Sequence, residues 1–292
     1  MAFELSAFNE AFPWFFGVVS FSFGAIVGSF LNVCIHRLPK GQSVVTPRSR
    51  CPGCGKAIAA YDNVPLISYL FLRGRCRHCR APISVQYPLV ELVTGLALLL
   101  VYIRFDVSPE GLKAALLACA LLVLIVTDLR ERLLPDRITF PGMAAGVLFA
   151  LWVPVGDGLA ALLGRWLGLS LPPLAMSVGD ALLGAALGAG ILFGLGELWF
   201  RLRGVEAMGL GDVKMMAMAG LFLGPKLTML TLLLGSLAGS LLGSLFILLA
   251  RKDTRYELPF GTFLGAAALV ALFWGDQLIA AYLELLPPSA SP

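Results

Sequence analysis

A-A-L-L-A-C-A-L-L-V-L-I-V-T-D-L-R-E-R-L-L-P-D-R, residues Ala114 to Arg137, carries no charge from Ala114 through Thr127 and then meets Asp128, Arg130, Glu131, Arg132, Asp136 and Arg137 in quick succession. A long apolar run that ends abruptly in charge is the pattern of a helix crossing a bilayer, where about 20 residues span a hydrocarbon core of about 30 Å. The same pattern recurs near 11–35, 87–105, 110–128, 138–155, 178–200, 206–224, 227–250 and 258–285. The chain therefore reads as all-α, a polytopic membrane helix bundle of about eight transmembrane helices. Its 292 residues are 58% hydrophobic and 14% charged, and the mean hydropathy is +0.86. Those values exclude an ordinary soluble domain, a disordered chain, a collagen and a small disulfide scaffold. A net charge of +4 is too weak to indicate a nucleic-acid binder.

The position of the positive charge matters more than its sum, because cytoplasmic loops of membrane proteins are enriched in Lys and Arg. The loop after the first span holds Arg37, Lys40, Arg48, Arg50, Lys56, Arg73, Arg75, Arg77 and Arg80 against one acid, Asp62. This places it in the cytoplasm and both termini outside. Arg130, Arg132 and Arg137, then Arg201 and Arg203, then Arg251, Lys252 and Arg255 all fall on the same side under that choice. Only Arg104, Lys113, Arg165, Lys214 and Lys226 lie elsewhere. Glu4 and Glu10, with no preceding Lys or Arg, make the first span a retained signal anchor. Between Pro154 and Pro173 the run Leu159 to Leu171, with Arg165 and Trp166, reads as an interfacial helix on the outer face. The sixth span is short: from Asp212 to Gly224 it covers about 18 Å at 1.5 Å per residue, so it either begins before Gly209 or is re-entrant.

Four of the six cysteines form two C-x-x-C pairs, Cys51 and Cys54 in C-P-G-C-G and Cys76 and Cys79 in C-R-H-C. Two such knuckles about 20 residues apart are the pattern of a four-thiolate zinc site. Two disulfides would be the competing reading, but thiols in a cytoplasmic loop stay reduced. Residues 36–86 have few large apolar side chains, so a metal would supply folding energy on the order of 10 kcal/mol. A site closed by four cysteines leaves no open position for chemistry, which makes the zinc structural. His78 lies between two ligands and reads as an exposed loop histidine; Cys34 and Cys119 read as small packing residues within spans.

Acids in or beside spans are costly and need a reason. Asp128 closes the third span, and Asp212, in M-G-L-G-D-V-K, opens the sixth; the topology puts both on the cytoplasmic side. Two carboxylates sharing one water hold one proton between them, so one can act as acid while the other acts as base. That is the requirement for cutting a peptide bond without a covalent intermediate. Gly209 and Gly211 would let a substrate backbone approach Asp212 closely. With His36 and His78 the only histidines, no serine–histidine pair competes. Taken singly, each acid has a plainer reading, Asp128 as a solvated helix end and Asp212 as an N-cap. Asp136, after Pro135, reads as the N-cap of the fourth span.

With these residues in place, the chain resembles the bacterial prepilin peptidase/N-methyltransferases, the type IV leader peptidases that also serve type II secretion. The resemblance rests on G-S-F-L-N-V-C-I-H-R-L-P (Gly28 to Pro39), the two cysteine pairs, Y-P-L-V-E-L (Tyr87 to Leu92), D-L-R-E-R-L-L-P-D (Asp128 to Asp136) and G-L-G-D-V-K (Gly209 to Lys214), in order along nearly the whole chain. The Gly-x-Gly-Asp element alone is shared with presenilin-like intramembrane proteases; the five blocks together are specific.

The resemblance implies a multi-pass protein of the bacterial inner membrane that cuts the leader of prepilins and pseudopilins after glycine at the cytoplasmic face. It then methylates the new N-terminal residue with S-adenosylmethionine. It implies Asp128 and Asp212 as the catalytic pair, with Lys214 beside them. No G-x-G-x-x-G follows a strand, so a cofactor site would be built from the first loop and the ends of the first two spans. Asn32, His36, Arg37 and Glu91 are the candidates there, for the cofactor or for the incoming amine. Residues 1–105, with the zinc loop 36–86, then form the methyltransferase-associated region, and 106–292 the peptidase region. Alternatives are a peptidase without methylation, a proton-coupled transporter with a zinc-knuckle loop, and a non-catalytic membrane scaffold. Acids gathered near one face, and the lack of a visible repeat between the halves, argue against the transporter.

Overall fold

The computed structural model describes residue 12 and residues 14–205, 208–249 and 258–285. Glu4, Glu10, Arg251, Lys252 and Arg255 lie outside the described residues. The structure contains nine α-helices among the described residues: α1 (Phe15–Arg37), α2 (Ile67–Phe71), α3 (Gln86–Phe105), α4 (Pro109–Glu131), α5 (Asp136–Trp152), α6 (Leu159–Trp166), α7 (Pro173–Arg203), α8 (Leu210–Leu249) and α9 (Phe260–Glu284). No strand occurs among them, only two isolated bridges, Arg50 with Ala57 and Arg75 with Pro82. Two compact units, Met1–Val123 and Leu124–Pro292, divide inside α4.

Six helices, α1, α3, α4, α7, α8 and α9, are long and apolar enough to cross a membrane. Against the sequence expectation of about eight, α5 has 17 residues and α8 is a single 40-residue element interrupted at Gly224. That interruption reverses the chain. A Cβ on Gly188 of α7 would lie 2.8 Å from the Met216 carbonyl oxygen and 3.0 Å from Thr228 Cγ2. In a continuous helix those two residues would be about 18 Å apart. Residues 210–223 and 225–249 are thus two arms joined by a one-residue turn. Gly224 has φ 75° and ψ 175°, a region open essentially to glycine alone, and Pro225 starts the second arm with φ already suited to a helix. Of the two readings of the short sixth span, a start before Gly209 is not what the structure has: the helix begins at Leu210 and the chain folds back at Gly224, as a re-entrant segment would.

Small residues set the packing, as they do where lipid offers no hydrophobic drive between helices. In the first unit Gly24 and Gly28 of α1 rest on Gly95, Thr94 and Glu91 of α3. In the second, Gly184 of α7 faces Gly220 of α8, and Gly142 and Gly146 of α5 accept Met218 and Leu221. The helix expected between Pro154 and Pro173 is α6. It is held by Asp180 of α7, whose carboxylate accepts hydrogen bonds from the Gly158 N–H at 2.9 Å and the Ala160 N–H at 2.7 Å. Asp180 thereby caps a helix from a neighbouring element, which accounts for one intramembrane acid. Glu197 pairs with Arg201 one turn on, at 2.8 Å, which accounts for another.

Candidate active site and cysteine cluster

Asp128, Asp212 and Glu91 remain. All three are buried, and among the described residues none is in an ion pair. Asp128 sits near the C-terminal end of α4, and Asp212 in the first turn of α8. They meet at the start of α9. A Cβ built on Gly261 would lie 2.7 Å from Oδ1 of Asp212 and 3.1 Å from Oδ2 of Asp128. The two oxygens are no farther apart than those distances laid end to end, about the reach of one water making two ordinary hydrogen bonds. Glycine at 261 leaves that space open; any side chain would fill it.

Asp128 is oriented by the same helix. Thr262 donates from its backbone N–H at 2.6 Å and from its hydroxyl at 2.9 Å to Oδ2 of Asp128. The N–H is one of the first-turn donors of a helix N-terminus, shared with a longer contact of 3.2 Å to the Pro259 carbonyl, so a capping group for α9 comes from α4. Both donors converge on Oδ2, which leaves Oδ1 for other work. No hydrogen bond reaches the Asp212 carboxylate among the described residues. The site thus holds two unlike acids, one fixed by two donors and one free to exchange a proton.

The residues placed beside the acids by sequence divide in the structure. A Cβ on Gly209 would touch nothing closer than 3.9 Å, so the approach to Asp212 is open there, whereas at Gly211 it would lie 3.2 Å from Leu134. Gly211 serves helix packing rather than access. Lys214 is drawn away from Asp212: its Nζ donates to both oxygens of Asp136 at 2.9 and 3.0 Å and lies 5.3 Å from the centre of the Phe140 ring. Asp136 is the first residue of α5, with Pro135 before it, so it is an ion-pair partner instead of an N-cap. Gly261 and Thr262 were missed by sequence reasoning. Their signal is P-F-G-T-F (Pro259 to Phe263), a glycine and a hydroxyl just after the proline that opens the last apolar run.

The two cysteine pairs come together as a cluster that can hold a metal ion. The four Sγ atoms lie within 4.8 Å of one another, and Cys51 Sγ is 3.7 Å from Cys79 Sγ. Tetrahedral zinc with bonds of about 2.3 Å puts its sulfurs about 3.8 Å apart, so the donor set fits. All four thiols are free of disulfides, and His78 is outside the cluster. Each knuckle is a tight hairpin. The Cys51 N–H donates to the Lys56 carbonyl and the Gly55 N–H to that of Cys51, and the Cys76 and Arg80 N–H groups repeat the pattern with Ala81 and Cys76. Gly55 (φ 67°) and Arg80 (φ 60°) occupy equivalent left-handed positions. The backbone N–H groups of Cys79 and His78 pull the Cys76 thiol down to about 6, which makes it a thiolate at neutral pH and a ready metal ligand. Arg77 forks onto Asp62 and lies over the Tyr61 ring at 5.3 Å, tying the second knuckle to the turn Ala60–Asp62.

In the first unit, Asn32 of α1 donates from Nδ2 to the carbonyls of Tyr87 at 3.0 Å and Gly28 at 3.3 Å, and its Oδ1 is buried without a partner. Glu91 of α3 accepts a hydrogen bond from the Leu66 N–H at 2.8 Å. Arg37, grouped with them on sequence, is occupied elsewhere: its guanidinium donates to the Ser43 and Pro47 carbonyls at 2.9 and 2.7 Å and shapes the loop after α1.

A helical membrane bundle that brings two carboxylates together over a glycine defines the class as a polytopic membrane protein with the constellation of an aspartyl hydrolase. Residues 22–105 match the model described as the bacterial peptidase A24 N-terminal domain, and residues 115–244 match that of the type IV leader peptidase family. The prepilin leader peptidase/N-methyltransferase of Aeromonas hydrophila is 38% identical over 93% of this chain and 95% of its own length. Proteins of the same name from Stutzerimonas stutzeri and Pseudomonas aeruginosa are 35% identical, each over 93% of this chain and 95% of their own length. The chain belongs to the type IV leader peptidase family. No solved structure gives a significant match.

Proposed function

We propose that the protein cleaves the leader of type IV prepilins and type II pseudopilins after glycine and then N-methylates the exposed residue, with Asp128 and Asp212 as the catalytic pair. The observation that carries the peptidase reading is the convergence of both carboxylates on Gly261. A water held between them loses a proton to one acid as its oxygen attacks the scissile carbonyl carbon, while the other acid protonates the carbonyl oxygen. Collapse of the tetrahedral species returns that proton and delivers one to the departing nitrogen. Thr262 fixes Oδ2 of Asp128, so Oδ1 and the Asp212 carboxyl are the groups that face the water.

The substrate's mature segment is an apolar helix, so it lies in the bilayer with the scissile bond at the interface. We place that interface on the cytoplasmic side of a bacterial inner membrane, with both termini outside, from the distribution of Lys and Arg. Gly209 gives the substrate backbone access beside Asp212. Zinc in the Cys51, Cys54, Cys76 and Cys79 cluster is structural, since four thiolates close its coordination. Peptidase work belongs to 106–292 and methyl transfer to 1–105. There, Asn32 and Glu91 are the groups suited to the cofactor or the amine, because a buried carboxyl without a basic partner and an orphaned amide oxygen are both acceptors for a cationic ligand. When bound, S-adenosylmethionine supplies a methyl group on a positively charged sulfur.

The test is mass spectrometry of a prepilin-type peptide incubated with purified protein in lipid, with and without S-adenosylmethionine. Wild type should remove the leader and add 14 Da, the mass of one CH₂, only with the cofactor present. Asp128→Asn and Asp212→Asn should each abolish cleavage, with zinc content and membrane insertion unchanged. Substantial cleavage by either variant would remove the pair from the mechanism.

A further inference from the structure

Asn32 is the residue in the first unit whose chemistry is left incomplete. It is 3% exposed, and its two carbonyl acceptors, Tyr87 and Gly28, fix which side-chain atom is the nitrogen. The atom without a partner is therefore an acceptor, and a buried acceptor left unpaired is costly enough to need a reason. One helical turn before Asn32, Gly28 lets the backbone of α1 close on Glu91, and the Ser29 hydroxyl lies against the Glu91 carboxylate. Ser29 and Asn32 are three residues apart on α1 and so share a face.

Glu91 is itself buried and has no basic partner among the described residues. Its one backbone donor comes from Leu66, a non-glycine residue at φ 61° and ψ −51°. Strain of this kind persists where the surroundings impose it, often beside a binding site. Asn32 lies five residues before the end of α1 and Glu91 five residues after the start of α3, roughly 7–8 Å along each axis; with the Ser29 hydroxyl they offer three acceptor groups, one of them a carboxylate.

We propose that Ser29, Asn32 and Glu91 form a receptor for a primary ammonium group at membrane depth, that of the new N-terminus exposed when the leader is removed. This rests on the proposed methyl transfer and deepens it. An ammonium has three N–H donors and one positive charge; the site has three acceptor groups, one of them a carboxyl with no basic partner among the described residues, which a bound cation would favour in its ionised form. S-adenosylmethionine also carries an ammonium, but its ribose and purine require donors as well as acceptors, and this set offers acceptors at the level where an apolar helix ends. The N-terminus of a leaderless pilin-type helix brings only the charged group and an apolar continuation. Arg37, a cation held by loop carbonyls, takes no part.

The experiment compares binding of two leaderless pilin-type peptides, one with a free and one with an acetylated N-terminus, to the full protein in lipid nanodiscs already seen to cleave and methylate. A parallel titration uses S-adenosylmethionine. Wild type should prefer the free N-terminus by roughly tenfold or more, as expected for a charge-assisted contact. Glu91→Gln should bring the two peptides within about twofold of one another, and Glu91→Asp should keep most of the preference. Ser29→Ala, which leaves the buried pair in place, should narrow the preference and so stands in if Glu91→Gln fails to fold. Equal binding of both peptides by active wild type overturns the ammonium receptor while leaving the proposed function intact. A Glu91→Gln effect on the S-adenosylmethionine titration with the peptide preference preserved overturns the assignment to the substrate and transfers the site to the cofactor.

Discussion

Gly261 and Thr262 show how much of a carboxylate's behaviour is set by residues that carry no charge. Asp128 accepts two hydrogen bonds from Thr262, and both acids border the space where Gly261 lacks a side chain. Gly261→Ala puts a methyl group into that space, and displacements of about 1 Å in such sites cost about 100-fold in rate. The expected result is a loss of leader cleavage of at least about that size, read by mass spectrometry, with zinc content preserved. Thr262→Val removes one of two donors to a charged group and should slow cleavage by roughly tenfold, whereas Thr262→Ser keeps both and should stay within about twofold. Equal rates for the valine and serine variants would show that the hydroxyl does not orient Asp128. The two aspartates were legible in the sequence because acids beside apolar runs are rare enough to demand a reason. Thr262 was not, because it lies 134 residues from Asp128 and a single hydroxyl at the start of an apolar run looks like an ordinary helix opening. The role of Lys214 was open in the sequence, between tuning Asp212 and facing the cytoplasm; the structure delivers its ammonium to Asp136.

The cysteine knuckles and the reversing helix owe their legibility to different physics. Metal-ligand spacing is local, so the C-x-x-C pairs are readable as a cluster from the order of residues alone. The fold adds the paired hairpins and the Arg77–Asp62 fork that hold them. Cys51→Ser should lower zinc stoichiometry and expose residues 36–86 to protease, since the loop has little apolar core of its own; unchanged metal content would overturn the zinc assignment. The turn in α8 was visible as a break in the apolar pattern near Gly224. Two separate spans, 206–224 and 227–250, with basic residues on the same side before and after them, already implied a reversal; what the pattern lacked was how tight the turn is. Contacts supply it: a Cβ at Gly224 would meet Asp157 Oδ2 and Val155 Cγ1, each at 2.7 Å, and the Asp157 carboxylate accepts from the Lys226 N–H at 2.8 Å. Gly224→Ala therefore adds both backbone strain and a clash, and should destabilise the second unit by about 2 kcal/mol or more. Thermal unfolding in detergent checks this, and an unchanged midpoint would mean that the turn tolerates a side chain.

Across the chain, the two proposed sites fall in different compact units: the acids around Gly261 lie within Leu124–Pro292, and Asn32, Glu91 and the cysteine cluster lie within Met1–Val123. Membrane character was read from recurring apolar runs of spanning length and from a composition of 58% hydrophobic residues, well above that of a soluble domain. The division into units was harder to read, since α4 runs without interruption through the boundary and no linker marks it. If each unit carries its own reaction, blocking one chemistry should spare the other whenever its substrate is supplied directly. Asp212→Asn should fail to cut a prepilin-type peptide yet methylate a peptide that already lacks its leader, at a rate within about twofold of wild type, since substitutions in sites that share no partners act independently. Methylation is followed by the 14 Da gain that one CH₂ adds. Loss of methylation on the leaderless peptide by a folded, zinc-loaded Asp212→Asn protein would show that the acid pair also serves the second reaction, and the two units would then have to be treated as one catalytic body.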